Sequence, residues 1–395
     1  MSRPLVSSLL ASILLAACGD GATYEPVDAA VDTDADPLAP DAAGQAQRAV
    51  AVSGDFNATG VFSTLALADL SVDVDVASGV ASQDPVLRRF GNELYVVNRF
   101  GVDNVTILDV DGLTLEAQLS TGADSNPQDV AVVGDKLYVA ALGTAGVVVI
   151  DRGNGNALAT IDLGVLDEDD GLPNCMSVYA VGDEVFVACG ILDDADPFLA
   201  PRGPGKIAVI DTSDDSVART MVLPAANPVG WLQPSDPATE LGGDLLLGLV
   251  PSYSDFSGGC LARVPVAAGG APAASCAVSN ADMGGYANRY EATRGGIVWI
   301  AVNGFDENFA SFGALRGFDA STLTMWDGQV SAAGQNVKDL AVCGDGDVVV
   351  ADRPDSGASG LRVYDGATTL ERTTAPLEIG LPPSYGNGLT CYSID

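Results

Sequence analysis

A repeat of about 43 residues constrains the fold of this 395-residue chain more than any other feature. The segment NELYVVNRFGVDNVTILDVDGLTLEAQLSTG at 92–122 recurs as DKLYVAALGTAGVVVIDRGNGNALATIDLG at 135–164. Each unit predicts four short strands, because apolar runs such as LYVV and VTILD are separated by Gly-Asp, Gly-Asn and Asp-Gly turns. Such units are stable only when neighbouring copies cover their apolar faces.

Seven polar residues mark the starts of successive units: Asp84, Asn126, Asn174, Asn227, Asn288, Asn336 and Asn387. Second strands are predicted after the first six marks, at 94–97, 137–140, 185–188, 245–248, 298–301 and 348–351. The seventh unit ends after its first strand, in GNGLTCYSID. Its three missing strands are predicted in residues 48–79, which align with residues 95–122. One unit is therefore expected to combine both ends of the chain.

Pairing the first and last strands closes a ring and removes its open edges, and four-stranded units of this length are typical of propeller blades. We therefore predict an all-β, seven-bladed β-propeller over residues 48–395, closed by both termini. Six blades with a separate amino-terminal hairpin is the alternative. The segments NPQDVAV, LYVA and VVVID within 126–151 resemble YVTN-type bacterial surface propellers. This resemblance implies a fold and a cell-surface location, and it implies no ligand.

The first 20 residues predict a bacterial lipoprotein signal. The apolar run at 5–17 is too short to span a bilayer, and Leu15, Ala16 and Ala17 directly precede Cys18. The segment resembles a lipobox, which implies a signal peptide of residues 1–17, a lipid on Cys18 and a protein outside the cytoplasm. An ordinary secretory signal with an incidental Cys18 is the alternative. Because Gly19 differs from an Asp retention signal, we expect the outer membrane.

Residues 18–47 predict a disordered acidic linker, since they are rich in Asp, Ala and Pro. The Asp-rich run at 32–36 is better explained by solvation than by calcium binding. The linker cannot account for the net charge of −35, because residues 48–395 themselves carry about −29. This field excludes nucleic acids as partners, leaves the lipid as the only membrane contact, and favours cations or basic partners. It is also consistent with solubility alone.

Six cysteines remain besides Cys18, an even number that predicts three disulfides in an oxidising compartment. Cys175 and Cys189 flank one predicted turn, and Cys260 and Cys276 flank another. By exclusion Cys343 pairs with Cys391, which would lock the closing strand. A metal cluster is the alternative, but the chain contains no CxxC spacing and no histidine.

The complete absence of histidine excludes Ser-His-Asp and Cys-His catalysis and removes the usual zinc, copper and haem ligand. A carboxylate site with calcium in the central channel, as in calcium-dependent lactonases, is the remaining route to a hydrolase. No set of residues here matches the lactonase pattern one by one, so catalytic residues and metal ligands stay unassigned.

The channel mouth is the candidate site, because the inner strands of a propeller line its channel. The candidates are the seven marks together with Gln128, Asp129, Arg289, Glu291, Lys338 and Asp339. The Asn marks are expected mainly to cap turns, and alternatively to hold water, a cation or a small polar ligand. The acidic insertions at 167–171 and 193–196 are expected to be solvated loops.

Longer connections in blades three to five, such as 191–205, 233–243 and 304–314, predict either a binding patch or a cover for the blade cores. These connections and their neighbours contain Trp231, Tyr253, Phe256, Phe305, Phe309 and Phe312.

Together these observations predict a lipid-anchored binding or scaffold module for a protein or a small polar ligand. A calcium-dependent hydrolase is the alternative, and an electron-transfer or cofactor-enzyme accessory is a third possibility.

Overall fold

The computed structural model describes residues 45–267, 273–344 and 346–394, so the predicted signal peptide and nearly all of the predicted linker lie outside the described residues. Strands dominate these residues and form seven antiparallel sheets. Helix is confined there to Asn280–Met283 and a 3-10 turn at Gly164–Leu166. No helix in the described ranges is long and apolar enough to span a bilayer.

The strands follow one another blade by blade. The closing blade begins with β1 (Ala46–Gly54), β2 (Gly60–Ala66) and β3 (Val72–Asp73). Blades one and two contain β4 (Pro85–Phe90), β5 (Glu93–Asn98), β6 (Asn104–Asp109), β7 (Leu115–Ser120), β8 (Pro127–Val133), β9 (Lys136–Ala141), β10 (Gly146–Asp151) and β11 (Ala157–Asp162). Blades three and four contain β12 (Cys175–Val181), β13 (Glu184–Cys189), β14 (Lys206–Asp211), β15 (Ser216–Val222), β16 (Asn227–Pro228), β17 (Gln233–Pro234), β18 (Leu245–Val250), β19 (Cys260–Val264) and β20 (Ser275–Ser279). Blades five and six contain β21 (Tyr286–Ala292), β22 (Ile297–Phe305), β23 (Ser311–Asp319), β24 (Thr324–Met325), β25 (Val337–Val342), β26 (Asp347–Asp352) and β27 (Gly360–Asp365). The last strand is β28 (Leu389–Ile394).

Both termini build the closing blade, as predicted. The strand order in its sheet is β28-β1-β2-β3, and β28 pairs with β1 from Ala46↔Ile394 to Ala51↔Leu389. The chain is therefore a seven-bladed β-propeller, and the six-bladed alternative is wrong. The ring has no open edge at its junction, because the last strand of the chain is the innermost strand of the first sheet.

The apolar cores lie between blades. Each of seven buried clusters joins two neighbouring blades, including the cluster of Val52, Leu87 and Tyr392 between the closing blade and blade one. Successive residues of β9 alternate between two clusters, since Leu137 packs toward blade one and Tyr138 toward blade three. Both faces of such a strand are buried, which explains continuous apolar runs such as LYVA.

Two blades depart from the predicted pattern of four strands. In blade six the fourth strand is replaced by isolated bridges, Leu361↔Leu377 and Tyr364↔Glu371, beside Pro376, which cannot donate to a ladder. In blade four the inner strand is interrupted between β16 and β17, each of which ends in proline.

The three predicted disulfides are confirmed. Cys175–Cys189 joins the directly paired strands β12 and β13, and Cys260–Cys276 joins β19 to β20. Cys343–Cys391 joins the end of the inner strand of blade six to β28, with Cα atoms 5.1 Å apart. The covalent bond therefore fixes the strand that closes the ring.

The propeller has two unlike faces. We define the mouth face as the end at which the inner strands begin. The connections from second to third strands also lie there, at 55–59, 99–103, 142–145, 190–205, 251–259, 306–310 and 353–359. The other end is the opposite face. Because Ala46 pairs with Ile394, the last residue of the inner strand β28, β1 begins on the opposite face.

Candidate functional site at the channel mouth

Four inner strands each contain a β-bulge close to the mouth. In blades two, three, five and six the ladder skips one residue: Gln128, Met176, Asn288 or Lys338. The preceding marks Asn126 and Asn174 have φ angles of 47° and 53°, and Asn387 has 58°. Asn tolerates this left-handed conformation better than most residues, which supports the predicted structural role of these marks.

The mark in blade five was misplaced by sequence reasoning. Register aligns Ala287 with Pro127, so Tyr286 occupies the position of Asn126, and Asn288 occupies the bulge position of Gln128. Asn288 Nδ2 donates to the carbonyl of Lys338 at 2.7 Å and to the carbonyl of Tyr385 at 2.5 Å. A Cβ at Gly386 would lie 2.8 Å from Asn288 Nδ2, so glycine permits this approach.

On one side of the mouth, polar side chains of blades one and two are linked by hydrogen bonds. Arg99 pairs with Asp84 at 2.6 Å and donates to Gln128 Oε1 at 3.1 Å. Gln128 Nε2 in turn donates to Asn126 Oδ1 at 2.9 Å. These groups satisfy one another across blades one and two, which is a structural role for three predicted mouth residues.

The marks of blades three, four and six serve different local contacts. Asn174 Oδ1 accepts from the Leu192 amide at 2.8 Å, and its Nδ2 donates to Asp194. Asn227 is fully buried beside Tyr253, whose pKa is raised by burial. Asn336 Nδ2 donates to Ser311 Oγ at 3.1 Å, whereas Asn336 Oδ1 is buried and has no hydrogen-bond partner.

Asp129 lies deeper in the channel and is completely buried. It accepts two bonds from Arg88, both at 2.7 Å, and one from Ser177 Oγ at 2.7 Å. The Val178 amide adds a bond at 2.9 Å. Donors from blades one and three therefore occupy both oxygens of this buried carboxylate.

A strap from blade four crosses the channel at this depth. We define the strap as residues 229–232, which fill the interruption between β16 and β17. Its Leu232 amide donates to Ser177 Oγ at 2.8 Å in blade three, and its Trp231 carbonyl accepts from Tyr290 Oη at 2.6 Å in blade five. The Arg88 guanidinium of blade one lies 4.2 Å from the centre of the Trp231 ring. Contacts with both neighbouring blades and with blade one across the ring place the strap inside the channel.

Glycine allows the strap to pass close to blade five. A Cβ at Gly230 would lie 2.7 Å from the Tyr290 hydroxyl. The Gln233 side chain oxygen then faces two guanidinium groups, accepting from Arg88 Nη1 at 3.2 Å and from Arg289. Gln233 therefore links Arg88 of blade one with Arg289 of blade five.

From Arg289 the polar contacts inside the channel continue to the residues before the closing strand β28. Arg289 donates to Glu291, to the Leu340 carbonyl and to Asn387 Oδ1. Asp339 accepts from the Gly388 amide at 2.6 Å, and one of its oxygens lies 3.8 Å from Arg289 Nε. Burial raises the pKa of Asp339 to about 6, against the opposing effects of Arg289 and the backbone amides. The network thus contacts the inner strands of all seven blades.

Sequence reasoning grouped the mouth candidates in one ring, and the structure separates them into two layers. Asp129, which Arg88 contacts, and the group of Arg289, Glu291 and Asp339 lie deeper, while the other candidates lie nearer the mouth. No three His, Cys, Asp or Glu side chains are clustered for a metal ion within the described ranges. Each carboxylate of the inner layer accepts from an arginine or from backbone amides instead.

The two acidic insertions are loops of one blade with mostly exposed carboxylates, as expected, and Arg202 additionally joins them. Arg202 lies 3.1 Å from Asp167, 2.6 Å from Asp170 and 2.8 Å from Asp193. The Asp167 side chain is buried, whereas Asp169 at 3.7 Å from Arg202 is exposed. Hydrogen bonding from Arg202 lowers the pKa of Asp170. These insertions form one ion-paired loop cluster on the mouth side of blade three.

A cleft of about 500 Å³ opens on the mouth face beside blade five. We name it the blade-five cleft, after its lining residues Asn288, Phe305, Phe309, Lys338, Asp355 and Tyr385. A second cleft of about 620 Å³ lies next to it, and both contain Ser311 and Asp355. Asn336, with its unpaired oxygen, lines the second cleft.

Every exposed aromatic side chain in the described part of the chain lies on the mouth face: Phe56, Phe100, Phe198, Phe305, Phe309, Phe312 and Tyr385. The predicted patch is therefore broader than blades three to five. Trp231 does not belong to it, because its ring is buried against Arg88. Phe256 is partly covered, stacked on Tyr286 at 4.8 Å.

Three of these exposed rings sit on unfavourable backbone. Phe56, Phe100 and Phe309 have φ angles of 57°, 52° and 61°, and their exposed fractions are 53%, 71% and 87%. A bulky side chain is rare in the left-handed region and costs about 1 kcal/mol or more there. The Phe56 ring contacts Tyr385 and Arg353, whereas the rings of Phe100 and Phe309 are largely exposed. Exposed rings on costly backbone indicate a surface role.

No protein-family model matches this chain, and no curated protein sequence does. Solved structures match its fold. The structure of apo AztD from Citrobacter koseri has a TM-score of 0.50 at 12% identity, covering 88% of this chain and 98% of AztD. Dihydro-heme d1 dehydrogenase NirN, in complex with DHE, has a TM-score of 0.53 at 16% identity, covering 91% of this chain and 76% of NirN. The similarity is one of fold.

Several residues of the site were missed by sequence reasoning. Arg88 gave no signal because it lies within an ordinary strand sequence, and Gln233 appeared to belong to a loop. Tyr385 precedes the last mark without a motif of its own. Pro228, Gly230 and Pro234 were an available signal, since they disfavour a regular inner strand in blade four.

Proposed function

We propose that this chain is a lipid-anchored, extracytoplasmic bacterial β-propeller whose mouth face binds a ligand or partner. The observation that carries the proposal is that, among the described residues, the exposed aromatic side chains all lie on one face, three of them on left-handed backbone. The concentration of exposed aromatic side chains on one face, with Phe56 and Tyr385 in contact, favours a binding site there. The NirN structure, a complex with DHE, is an example of a similar fold that holds a small ligand.

The position of β1 determines which face of the propeller a lipid anchor would hold toward the membrane. β1 begins at Ala46 on the opposite face, so a lipid on Cys18 would tether the propeller from that side. The aromatic mouth face would then point away from the membrane. The three disulfides are consistent with export to an oxidising compartment.

Hydroxyl-radical footprinting of the full lipidated chain tests this proposal. We expect Phe56, Phe100 and Phe309 to be less oxidised in native membranes than in the purified protein. Leu370, which is exposed on the opposite face, serves as the control and should be oxidised equally in both. The purified chain reconstituted into liposomes should show no protection, which separates a partner from the lipid surface. Equal oxidation of the three rings in membranes and in pure form would contradict the proposal.

A further inference from the structure

Lys338 is a buried cation without an anionic partner. Its side chain reaches the blade-five cleft from the bulge of β25, and the residue is only 4% exposed. Its Nζ makes one long hydrogen bond, 3.4 Å to the Phe312 carbonyl. An ammonium group has three donors, so two of them have no acceptor within the described structure. A buried charge in this condition is costly unless a ligand completes it.

The acidic groups around the cleft are engaged elsewhere. Asp355 is close enough to affect Lys338 electrostatically, but its Oδ1 accepts from Ser311 Oγ at 2.9 Å and it forms no ion pair with the lysine within 4 Å. Asp306, at the loop tip, accepts from the amides of its own loop. Lys338 is therefore a buried ammonium group that no carboxylate contacts directly, in a protein whose net charge is −35.

A second cation stands at the rim. The Arg353 guanidinium lies 4.0 Å from the centre of the Tyr385 ring and donates to the Pro383 carbonyl. Arg353 also lowers the pKa of Lys338, although burial is the main reason why that pKa falls to about 8. Phe305 and Phe309 supply apolar surface on the other side. An aromatic cage for a cationic ligand has similar walls, but a buried ammonium on its floor would repel such a ligand.

We propose that the blade-five cleft binds a small carboxylate with a flat apolar body. The carboxylate would receive the free donors of Lys338, and the body would lie against Phe305, Phe309 and Tyr385. A lysine ammonium is a point charge without the planar fork of arginine, which suits one small anionic group. This inference rests on the proposed function and specifies its ligand class.

Calorimetric titration of the detergent-solubilised full chain tests the inference, with dilution into detergent alone as the reference. The probes are naphthoate, the neutral naphthalenemethanol and naphthyl phosphate. We expect naphthoate to bind about tenfold or more tightly than the alcohol, because a charge-assisted hydrogen bond is worth at least that factor. Lys338→Met should remove this preference and leave the alcohol unaffected.

Matched controls separate the contact with Lys338 from the electrostatic field of the whole protein. Lys136→Met removes a lysine that pairs with Asp215 at 2.7 Å, and it should leave naphthoate binding unchanged. Naphthoate affinity should fall as the pH rises past about 8, where Lys338 loses its proton, and Lys338→Arg should remove that dependence.

Four results would overturn the inference: no binding of naphthoate, equal binding of naphthoate and the alcohol, an unchanged preference in Lys338→Met, or tighter binding of the phosphate. Footprinting of Phe56 and Phe100 outside the cleft can still succeed in each case. Failure of this inference is therefore distinguishable from failure of the proposed function.

Discussion

Asp339 illustrates at the scale of one residue how the closing strand depends on buried charge. Its carboxyl accepts from Gly388, directly before β28, while burial raises its pKa from 3.8 to about 6. The folded protein then holds this proton more tightly than the unfolded chain between these values. The stability contributed by protonation is present at low pH and is lost as the pH rises through about 6.

We therefore expect Asp339→Asn to change the pH dependence of stability. The free energy of unfolding of the variant, relative to the wild type, should rise between pH 4 and pH 6, by up to about 3 kcal/mol for a shift of this size. Urea unfolding of both proteins across this range measures the difference, in which the effects of the other carboxyls cancel. A difference that is flat or falls with pH would contradict the assignment.

Arg88 gives a second prediction at this scale. Arg88→Met leaves Asp129 buried without its bidentate partner, so it should lower the free energy of unfolding by about 3–5 kcal/mol. The double variant Arg88→Met with Asp129→Asn should recover part of this loss, because no uncompensated charge remains. Denaturant unfolding of the two single variants and the double variant measures the coupling. Strictly additive losses would show that the two groups act independently.

At the residue scale the sequence predicted positions better than roles. Gln128, Asp129, Lys338 and Asp339 lie on the inner strands β8 and β25, because the repeat fixes where each inner strand begins. Their partners came from other blades: Arg88 lies 41 positions before Asp129 in the chain. Such a long-range pair has no local pattern, so which carboxylates are free and which are spent could not be predicted.

At the scale of elements, the strand order and the disulfides followed from repeats and spacing. The six second strands lie where the repeated LYVA-like runs predicted them. The strap in blade four could not be predicted as a channel crossing, because it depends on the Tyr290 hydroxyl and on arginines from two other blades. The predicted start of blade five at Asn288 was also wrong, because in sequence a polar residue at a bulge resembles one that precedes a strand.

The disulfide Cys343–Cys391 gives a prediction at the element scale. It closes a loop of 48 residues, whereas Cys175–Cys189 closes one of 14. In the chain-entropy account these loops correspond to about 4 and about 3 kcal/mol. Cys343→Ser with Cys391→Ser should therefore cost more stability than Cys175→Ser with Cys189→Ser. Amide hydrogen exchange should become fastest in β28 in the first variant, and equal losses with unchanged exchange in β28 would oppose this account.

At the scale of the whole molecule, ring closure and the seven interblade cores make a rigid support with two different faces. The channel carboxylates accept from arginines and amides, so we expect neither calcium nor a chelator to shift the melting temperature. Calcium at 100 times its dissociation constant would add about 2.7 kcal/mol to the free energy of unfolding and would raise the melting temperature by several degrees. Differential scanning calorimetry of the full chain measures this, and a clear rise with calcium would restore the carboxylate-metal alternative.

Attachment to the membrane is also a property of the whole molecule, and Cys18 is its predicted point. Cys18→Ala should abolish incorporation of labelled fatty acid and move the protein out of the membrane fraction, because no other anchor is predicted. The variant Cys343→Ser, which leaves Cys18 intact, is the control and should stay in the membrane fraction. Retention of Cys18→Ala in membranes would contradict a lipid anchor at this residue.

Site-specific photo-crosslinking in intact cells tests the central proposal, binding at the mouth face, most directly. A photoreactive phenylalanine analogue would replace Phe56, Phe100 or Phe309 on the mouth face, and Leu115, Leu323 or Leu370 at exposed positions toward the opposite face. Mass spectrometry of the irradiated protein would then report adducts at each position. The proposal predicts adducts at the three phenylalanine positions and none at the three controls. Adducts distributed equally over both sets, or absent from the mouth face, would contradict it.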